Sequence, residues 1–98
     1  MSLMMVRAKV KPESVGEVEA AAKAMFAAID AAGPEGVRYV SSKLADGTTY
    51  VILLALEDGI GNPLTAVPEF LEFQRNLGGW LAEPSVPEQL TVVGSYRF

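Results

Sequence analysis

Hydrophobic and polar positions recur along this chain with two different periods, and the changes of period divide it into six elements. Alternation with a period of two is typical of a half-buried strand, whereas apolar residues three and four apart form the buried stripe of a helix. The pattern predicts strands and helices in the order β-α-β-β-α-β, over residues 5–11, 15–32, 36–44, 48–57, 68–82 and 89–98. This order indicates an α+β, ferredoxin-like βαββαβ sandwich, in which two helices cover one face of a four-stranded antiparallel sheet.

Local signals mark where several of these elements begin and end. Ser14 and Glu17 have the spacing of a capping box at the start of the first helix. Gly33 suits the left-handed position just after the end of that helix. Asp46-Gly47 predicts the tight turn of a hairpin between the second and third strands.

The third predicted strand differs from the others because residues 51–56, Val-Ile-Leu-Leu-Ala-Leu, are apolar at consecutive positions. A strand in an antiparallel sheet that is covered on one face should alternate, so this run predicts burial on both faces. The two helices can cover one face, but a chain of 98 residues has no further element for the other. We therefore predict a homodimer.

Composition restricts the class of protein. The 98 residues, half of them hydrophobic, form a single domain over residues 1–98, and we interpret residues 1–3, which precede Met4 and Met5, as a cloning remnant. Histidine and cysteine are absent, so we predict neither a metal site nor a disulfide. The net charge of −4 argues against binding to nucleic acid. No apolar run approaches the roughly 20 residues of a membrane span and no secretory signal pattern is present, so we expect a cytoplasmic protein.

The basic residues are concentrated on the predicted strands. Six of the eight lie there, namely Arg7, Lys9, Lys11, Arg38, Lys43 and Arg97, whereas Glu57 is the one acid on a strand. Two explanations stay open. The cations of the first strand form a solvated face that deters edge-to-edge pairing, or some of the basic residues stabilise an anionic ligand or face a second subunit.

Several of these features together resemble a known family. The element order, the apolar third strand, the segment Pro-Glu-Phe-Leu-Glu-Phe-Gln-Arg-Asn-Leu at residues 68–77 and the terminal strand are similar to the antibiotic biosynthesis monooxygenase group of the dimeric α/β-barrel superfamily. The resemblance implies a homodimer whose two sheets face each other, with one pocket per subunit between sheet and helices. That group includes cofactor-independent oxygenases that convert phenols or quinols to quinones, haem-degrading enzymes and proteins without known activity. The haem-degrading members bind iron through a histidine, which this chain lacks.

The resemblance also suggests which residues form a site, and it implies no cofactor. The quinone-forming members surround their substrate with asparagine, tryptophan, tyrosine and arginine. The corresponding residue types here give catalytic candidates Arg38, Arg97 and Tyr96, and substrate-binding candidates Tyr39, Tyr50, Asn62, Asn76 and Trp80. Cofactor-free oxygenation requires a dry pocket that stabilises the substrate anion beside dioxygen. Without histidine, the base is a carboxylate of raised pKa, a lysine of lowered pKa, or the acidity of the substrate itself.

Each candidate also has a purely structural explanation. Trp80 can anchor the second helix, strand tyrosines commonly pack at interfaces, and Asn62 lies in a loop rich in glycine and proline, where asparagine is ordinary turn chemistry. Two functions therefore stay open. One is a cofactor-independent monooxygenase that acts on an aromatic or polyketide-like phenol, and the other is a non-catalytic homodimer that binds a small apolar, aromatic or anionic ligand or acts by interaction alone. A core that filled the space between sheet and helices would remove most support for the enzyme.

Overall fold

The sheet has four strands and carries both long helices on one face. In the computed structural model, which describes all 98 residues, the strands are β1 (Ser2–Lys9), β2 (Val37–Lys43), β3 (Thr49–Leu56) and β4 (Pro87–Leu90), with the helices α1 (Val15–Ala32) and α2 (Pro68–Trp80). The strand order is β2-β3-β1-β4, and every neighbouring pair is antiparallel. Short 3₁₀ turns, Pro12–Ser14 and Pro63–Ala66, precede the two helices. The predicted ferredoxin-like α+β fold is confirmed.

Helix α1 has the predicted bounds, but its start is stabilised differently from the prediction. Gly33 has φ 60° and its N–H donates to the Ile29 carbonyl at 2.9 Å, as predicted for a residue that follows a helix. The prediction of a capping box is wrong. The Ser14 N–H already donates to Lys11 O within the preceding 3₁₀ turn, and the Ser14 side chain makes no cap.

The predicted hairpin between β2 and β3 is confirmed. Gly47 has φ 77°, a left-handed conformation that favours glycine. The Asp46 carboxylate accepts hydrogen bonds from the backbone N–H groups of Thr48 (2.9 Å) and Thr49 (2.8 Å) and from the Thr49 hydroxyl (2.6 Å). These bonds, with that of the Thr49 hydroxyl foremost, lower the pKa of Asp46 to about 2. The turn is therefore held by its own side chains.

The register divides the sheet into two faces. Val6 pairs with Ile52 and Ala8 with Tyr50, and these side chains point towards the helices; we call this side the inner face. The alternate residues form the outer face, which no helix covers. They are Leu3, Met5, Arg7 and Lys9 of β1, Arg38 and Val40 of β2, and Val51, Leu53 and Ala55 of β3. Strand β1 is central in the sheet, so its cations do not protect an edge, and that part of the explanation is wrong. Arg7 and Lys9 are exposed, as predicted for a solvated face.

The core lies between the inner face and the helices in two clusters. The larger consists of Met25, Leu54, Leu64, Val67 and Phe70, and the smaller of Val10, Val18 and Tyr50. A cavity lined by members of both clusters lies between them.

The fourth strand is shorter than predicted. Leu90 pairs with Leu3, and β1 begins only one residue earlier, at Ser2, so the chain beyond Leu90 has no strand with which to continue the ladder. Residues 91–98 form no regular structure, and Tyr96 is 82% exposed. The prediction that Tyr96 and Arg97 lie on a strand is therefore wrong. The first strand also differs from the prediction, since β1 begins at Ser2, three residues before its predicted start.

The second helix continues through Gly78 and Gly79 to Trp80, two residues short of its predicted end. A Cβ atom at either glycine would meet no atom within 4 Å, so neither position requires glycine for a close approach. Neither long helix combines the length and the apolar character that a membrane span needs.

Candidate functional site

A cavity of about 270 Å³ separates the inner face of the sheet from the two helices. Of its 21 lining residues 15 are hydrophobic, including Val6, Ile52 and Leu54 of the sheet, Met25 of α1 and Phe70 of α2. An engineered apolar cavity of about 150 Å³ in another protein is large enough for benzene. The core residues therefore surround a space that could hold one or two fused aromatic rings.

Aromatic side chains form one wall of this cavity. Tyr39 of β2 stacks on Phe26 of α1 with ring centres 5.2 Å apart, and Phe70 meets Tyr39 edge-on at 5.8 Å. Such contacts fix the ring planes and present flat apolar surface to a ligand. Burial raises the pKa of Tyr39, so that its hydroxyl stays protonated and can donate a hydrogen bond.

A carboxylate and a phenol in the cavity lining meet an ammonium group at one end of the cavity. The Tyr50 hydroxyl of β3 donates to Glu19 Oε2 of α1 at 2.6 Å, and Lys43 Nζ of β2 donates to the same oxygen at 2.8 Å. The bond from Lys43, followed by that from Tyr50, lowers the pKa of Glu19, which is therefore ionised at neutral pH. Burial, followed by the bond to Glu19, raises the pKa of Tyr50 to about 12.

Glu19 did not emerge as a candidate from the sequence, although a signal for it exists. Val15, Glu19, Ala22 and Phe26 are spaced four, three and four residues apart, which places them on one helical face. A glutamate in that apolar stripe must point towards the sheet. The cavity also receives polar side chains from Ser41, Gln74 and Ser85, which have no distinguishing signal in the sequence.

Asn62 lines the cavity and also stabilises the loop that carries it. Its Oδ1 accepts a hydrogen bond from the Leu64 N–H at 3.0 Å and so caps the 3₁₀ turn before α2. Its Nδ2 group makes no hydrogen bond within the chain. The turn therefore fixes the side-chain amide and leaves its N–H donors available.

Trp80 and Asn76 lie outside the cavity. The Trp80 indole N–H donates to Glu17 Oε2 at 3.2 Å, and its ring packs at a tilt on Phe73 with 5.8 Å between ring centres. These contacts tie the end of α2 to the start of α1. Asn76 lies on an exposed part of α2 beside a groove between the two helices.

The three residues predicted to be catalytic also lie outside the cavity. Arg38 is on the outer face, where its guanidinium lies 5.5 Å from the centre of the Phe98 ring. Arg97 lies 5.3 Å from the ring of its neighbour Tyr96 in the terminal segment. Of the eight predicted site residues, the structure brings together Tyr39, Tyr50 and Asn62 around the cavity.

The charge of the cavity differs from that expected for anion stabilisation. Its lining contains no arginine or lysine, and its one charged residue is Glu19. No group of three or more carboxylate, histidine or cysteine side chains lies close enough together to hold a metal ion. The chemistry available in the lining therefore consists of one ionised carboxylate, neutral hydrogen-bonding groups and a dry aromatic wall.

Comparisons with known proteins identify solved structures that share this fold. No family model matches the chain, and no curated protein matches it in sequence. Among solved structures, Rv0793 from Mycobacterium tuberculosis is 20% identical, with a TM-score of 0.77 over 96% of each chain. A variant of SnoaB, a cofactor-independent oxygenase from Streptomyces nogalater, is 18% identical, with a TM-score of 0.71 over 99% of this chain and 97% of that one. An antibiotic biosynthesis monooxygenase is 11% identical, with a TM-score of 0.73 over 96% of this chain and all of that one. The chain has the fold of the antibiotic biosynthesis monooxygenase-like proteins.

Proposed function

We propose that this protein is a cofactor-independent monooxygenase of the antibiotic biosynthesis monooxygenase-like group, acting on a small aromatic or polyketide-like phenol. The observation that carries the proposal is the cavity, which is mostly apolar, is walled by aromatic rings and is lined by a few polar side chains. Binding pockets for small organic ligands typically combine such walls with a few polar groups that fix orientation. The fold shared with SnoaB adds support for oxygenase chemistry.

The reaction that suits this site is the oxidation of a phenol to a quinone by dioxygen. One oxygen atom of O₂ becomes the carbonyl para to the hydroxyl, and the other leaves as water with the two hydrogen atoms that the phenol loses. The phenol supplies all four electrons, so the electron balance requires no cofactor. The apolar walls would exclude water, and the N–H and O–H donors of Asn62 and Tyr39 would stabilise negative charge on the oxygen that adds at the para carbon.

The ionisation state of Glu19 limits the substrate. A carboxylate of lowered pKa is a weak base, so it accepts a hydrogen bond from the phenol more readily than it removes the proton. The substrate proton must therefore be lost with little help from Glu19, which favours the more acidic phenols.

We also propose that two copies associate through their outer faces. Met5, Val51 and Leu53 are only half-buried in the single chain, and Val40 is 47% exposed. A second copy that covered these residues would account for the apolar run of β3. Arg7 and Lys9 would then border the interface.

The alternative is a non-catalytic homodimer that binds a small ligand in the same cavity. It is favoured by one observation: the lining contains no cation and no carboxylate of raised pKa, the groups expected of an anion stabiliser and a base. In this case the ligand would bind and leave unchanged.

Dioxygen uptake tests these two functions against each other. With 1-naphthol or anthrones that bind, we expect one O₂ consumed per quinone formed, and slower turnover in Tyr39→Phe and Asn62→Ala. Asn76→Ala is the matched control, since Asn76 lies outside the cavity. Binding without O₂ uptake would support the alternative, and absence of binding would contradict both.

A further inference from the structure

Glu19 occupies a position that the packing of α1 would otherwise give to an apolar residue. Glu19 continues the apolar stripe of Val15, Ala22 and Phe26. Together with Ala22 and Phe26, it lines the cavity. Two residues from the sheet, Tyr50 and Lys43, meet its carboxylate. The carboxylate is thus held by both layers of the fold and is a fixed feature of the cavity end.

The two oxygens of this carboxylate are used differently. Both bonds from the chain go to Oε2, and no group of the chain donates to Oε1. An ionised carboxylate can only accept hydrogen bonds. Oε1 therefore provides an acceptor that a ligand with a hydroxyl could satisfy.

The surroundings make the same end unfavourable for an anion. Lys43 is the one cation bonded to Glu19, and both side chains are partly exposed at the rim, at 43% and 40%. Lys23 acts on Glu19 from one turn further along α1, and the lining itself contains no cation. A ligand carboxylate beside Glu19 would bring two like charges together at this partly solvated end of the cavity, where solvent weakens the repulsion without removing it.

We infer that Glu19 is the specificity-determining residue of this cavity, which selects neutral aromatic ligands that donate a hydroxyl and rejects the same ring system bearing a carboxylate. This inference rests on the proposed binding of aromatic compounds and narrows their class. The basic residues of the strands suggested an anionic ligand. This inference instead assigns a neutral ligand that donates a hydrogen bond.

The test compares 2-naphthol with 2-naphthoate, which share a ring system and differ in charge at neutral pH. Calorimetric titration of the wild type should give an affinity for the naphthol about tenfold higher, because Glu19 repels the carboxylate of the naphthoate. In Glu19→Gln, whose amide oxygen still accepts from Tyr50, the two affinities should converge because naphthoate binds more tightly. Glu17→Gln is the matched control, since Glu17 lies on the same helix and bonds Trp80 outside the cavity; its ratio should equal that of the wild type.

A second variant should change the affinity for naphthoate in the opposite direction. It also provides a test if Glu19→Gln does not fold. Lys43→Gln removes the cation at the rim, so naphthoate should bind still more weakly while naphthol changes little. Equal affinities in the wild type, or a ratio unchanged in both Glu19→Gln and Lys43→Gln, would overturn the inference. Failure of 2-naphthol to bind the wild type would overturn it together with the proposed function. Selective binding of 2-naphthol, with no O₂ uptake when 1-naphthol is bound, would leave this inference standing and remove the oxygenase.

Discussion

The inner and outer faces of the sheet are built from alternate residues of the same strands, yet they end in different surroundings. Ile52 and Leu54 point towards the helices and line the cavity. Val51 and Leu53, one residue away, point to the side that no element of the chain covers. The inner face carries no cation on the cavity side, whereas the outer face carries Arg7, Lys9 and Arg38 around its apolar centre.

The difference teaches that hydrophobicity alone does not say what a surface contacts. On the inner face, apolar residues are arranged around a space, and Tyr50 and Lys43 bond the one carboxylate that enters it, that of Glu19. On the outer face, the cations are spread along its strands and exposed. We assign ligand binding to the first face and self-association to the second, and the predictions below separate the two.

The largest effect is expected from a charge at the centre of the outer face. Leu53→Glu should dissociate the proposed dimer, because a carboxylate buried in an apolar interface without a partner is strongly unfavourable. Mass measurement in solution at micromolar concentration should give a dimer for the wild type and a monomer for the variant. Val93→Glu is the control, since Val93 is 99% exposed in the terminal segment. A monomeric wild type would refute the assignment.

Truncation of the neighbouring residue should destabilise the chain itself. Leu54 is 8% exposed and belongs to the larger core cluster, so Leu54→Ala should lower the free energy of unfolding by about 2–5 kcal/mol. Val40→Ala, on the outer face, should lower it by less than about 1 kcal/mol under dilute conditions. Denaturant titration of both variants gives the comparison. Similar losses in the two would show that the faces do not differ in the single chain.

Filling the cavity should abolish ligand binding and leave association intact. Ala22 lines the cavity from α1, and Ala22→Phe places a ring in the space that a ligand would use. We expect a loss of at least about tenfold in affinity for 2-naphthol, or about 1.4 kcal/mol. Ala27→Phe, on an exposed part of the same helix, is the control. Unchanged affinity in Ala22→Phe would place the ligand elsewhere.

The smallest effect is a change in the titration of Tyr50. The pKa of Tyr50 is raised to about 12, whereas that of an unfolded tyrosine is about 10. Between these pH values the unfolded chain loses the tyrosine proton and the folded chain keeps it. The free energy of unfolding therefore falls as the pH rises from 10 to 12. Glu19→Gln should move the pKa of Tyr50 down towards its ordinary value. The ultraviolet absorbance of tyrosinate measures this, with Tyr50→Phe identifying the transition. A midpoint that does not move would show that the bond to Glu19 contributes nothing.

The parts of the fold predicted correctly depend on local sequence. The bounds of α1 follow from its apolar spacing and Gly33, and the hairpin follows from Asp46-Gly47, whose contacts lie within three residues. The end of β4 does not depend on local sequence. Alternation continues to Phe98, but a strand needs a neighbour, and the neighbour begins at Ser2, far away in sequence.

The site was predicted in part for a related reason. Arg38 and Tyr39 are adjacent and both polar, so the pattern could not decide which of them faces inward; the register places Tyr39 in the cavity and Arg38 on the outer face. Trp80 suited a pocket wall by its chemistry, but its indole N–H is directed to Glu17. Glu19 was predictable from its place in the apolar stripe, since helical periodicity fixes direction without knowledge of the tertiary fold.

The most direct measurement is a crystal structure of the protein saturated with 2-naphthol. We predict the rings beside Tyr39 and Phe70, the hydroxyl within hydrogen-bond distance of Glu19 Oε1, and the outer faces of two copies packed together. A ligand bound between the outer faces, or an empty cavity at saturation, would contradict the division of the sheet into a binding face and an association face.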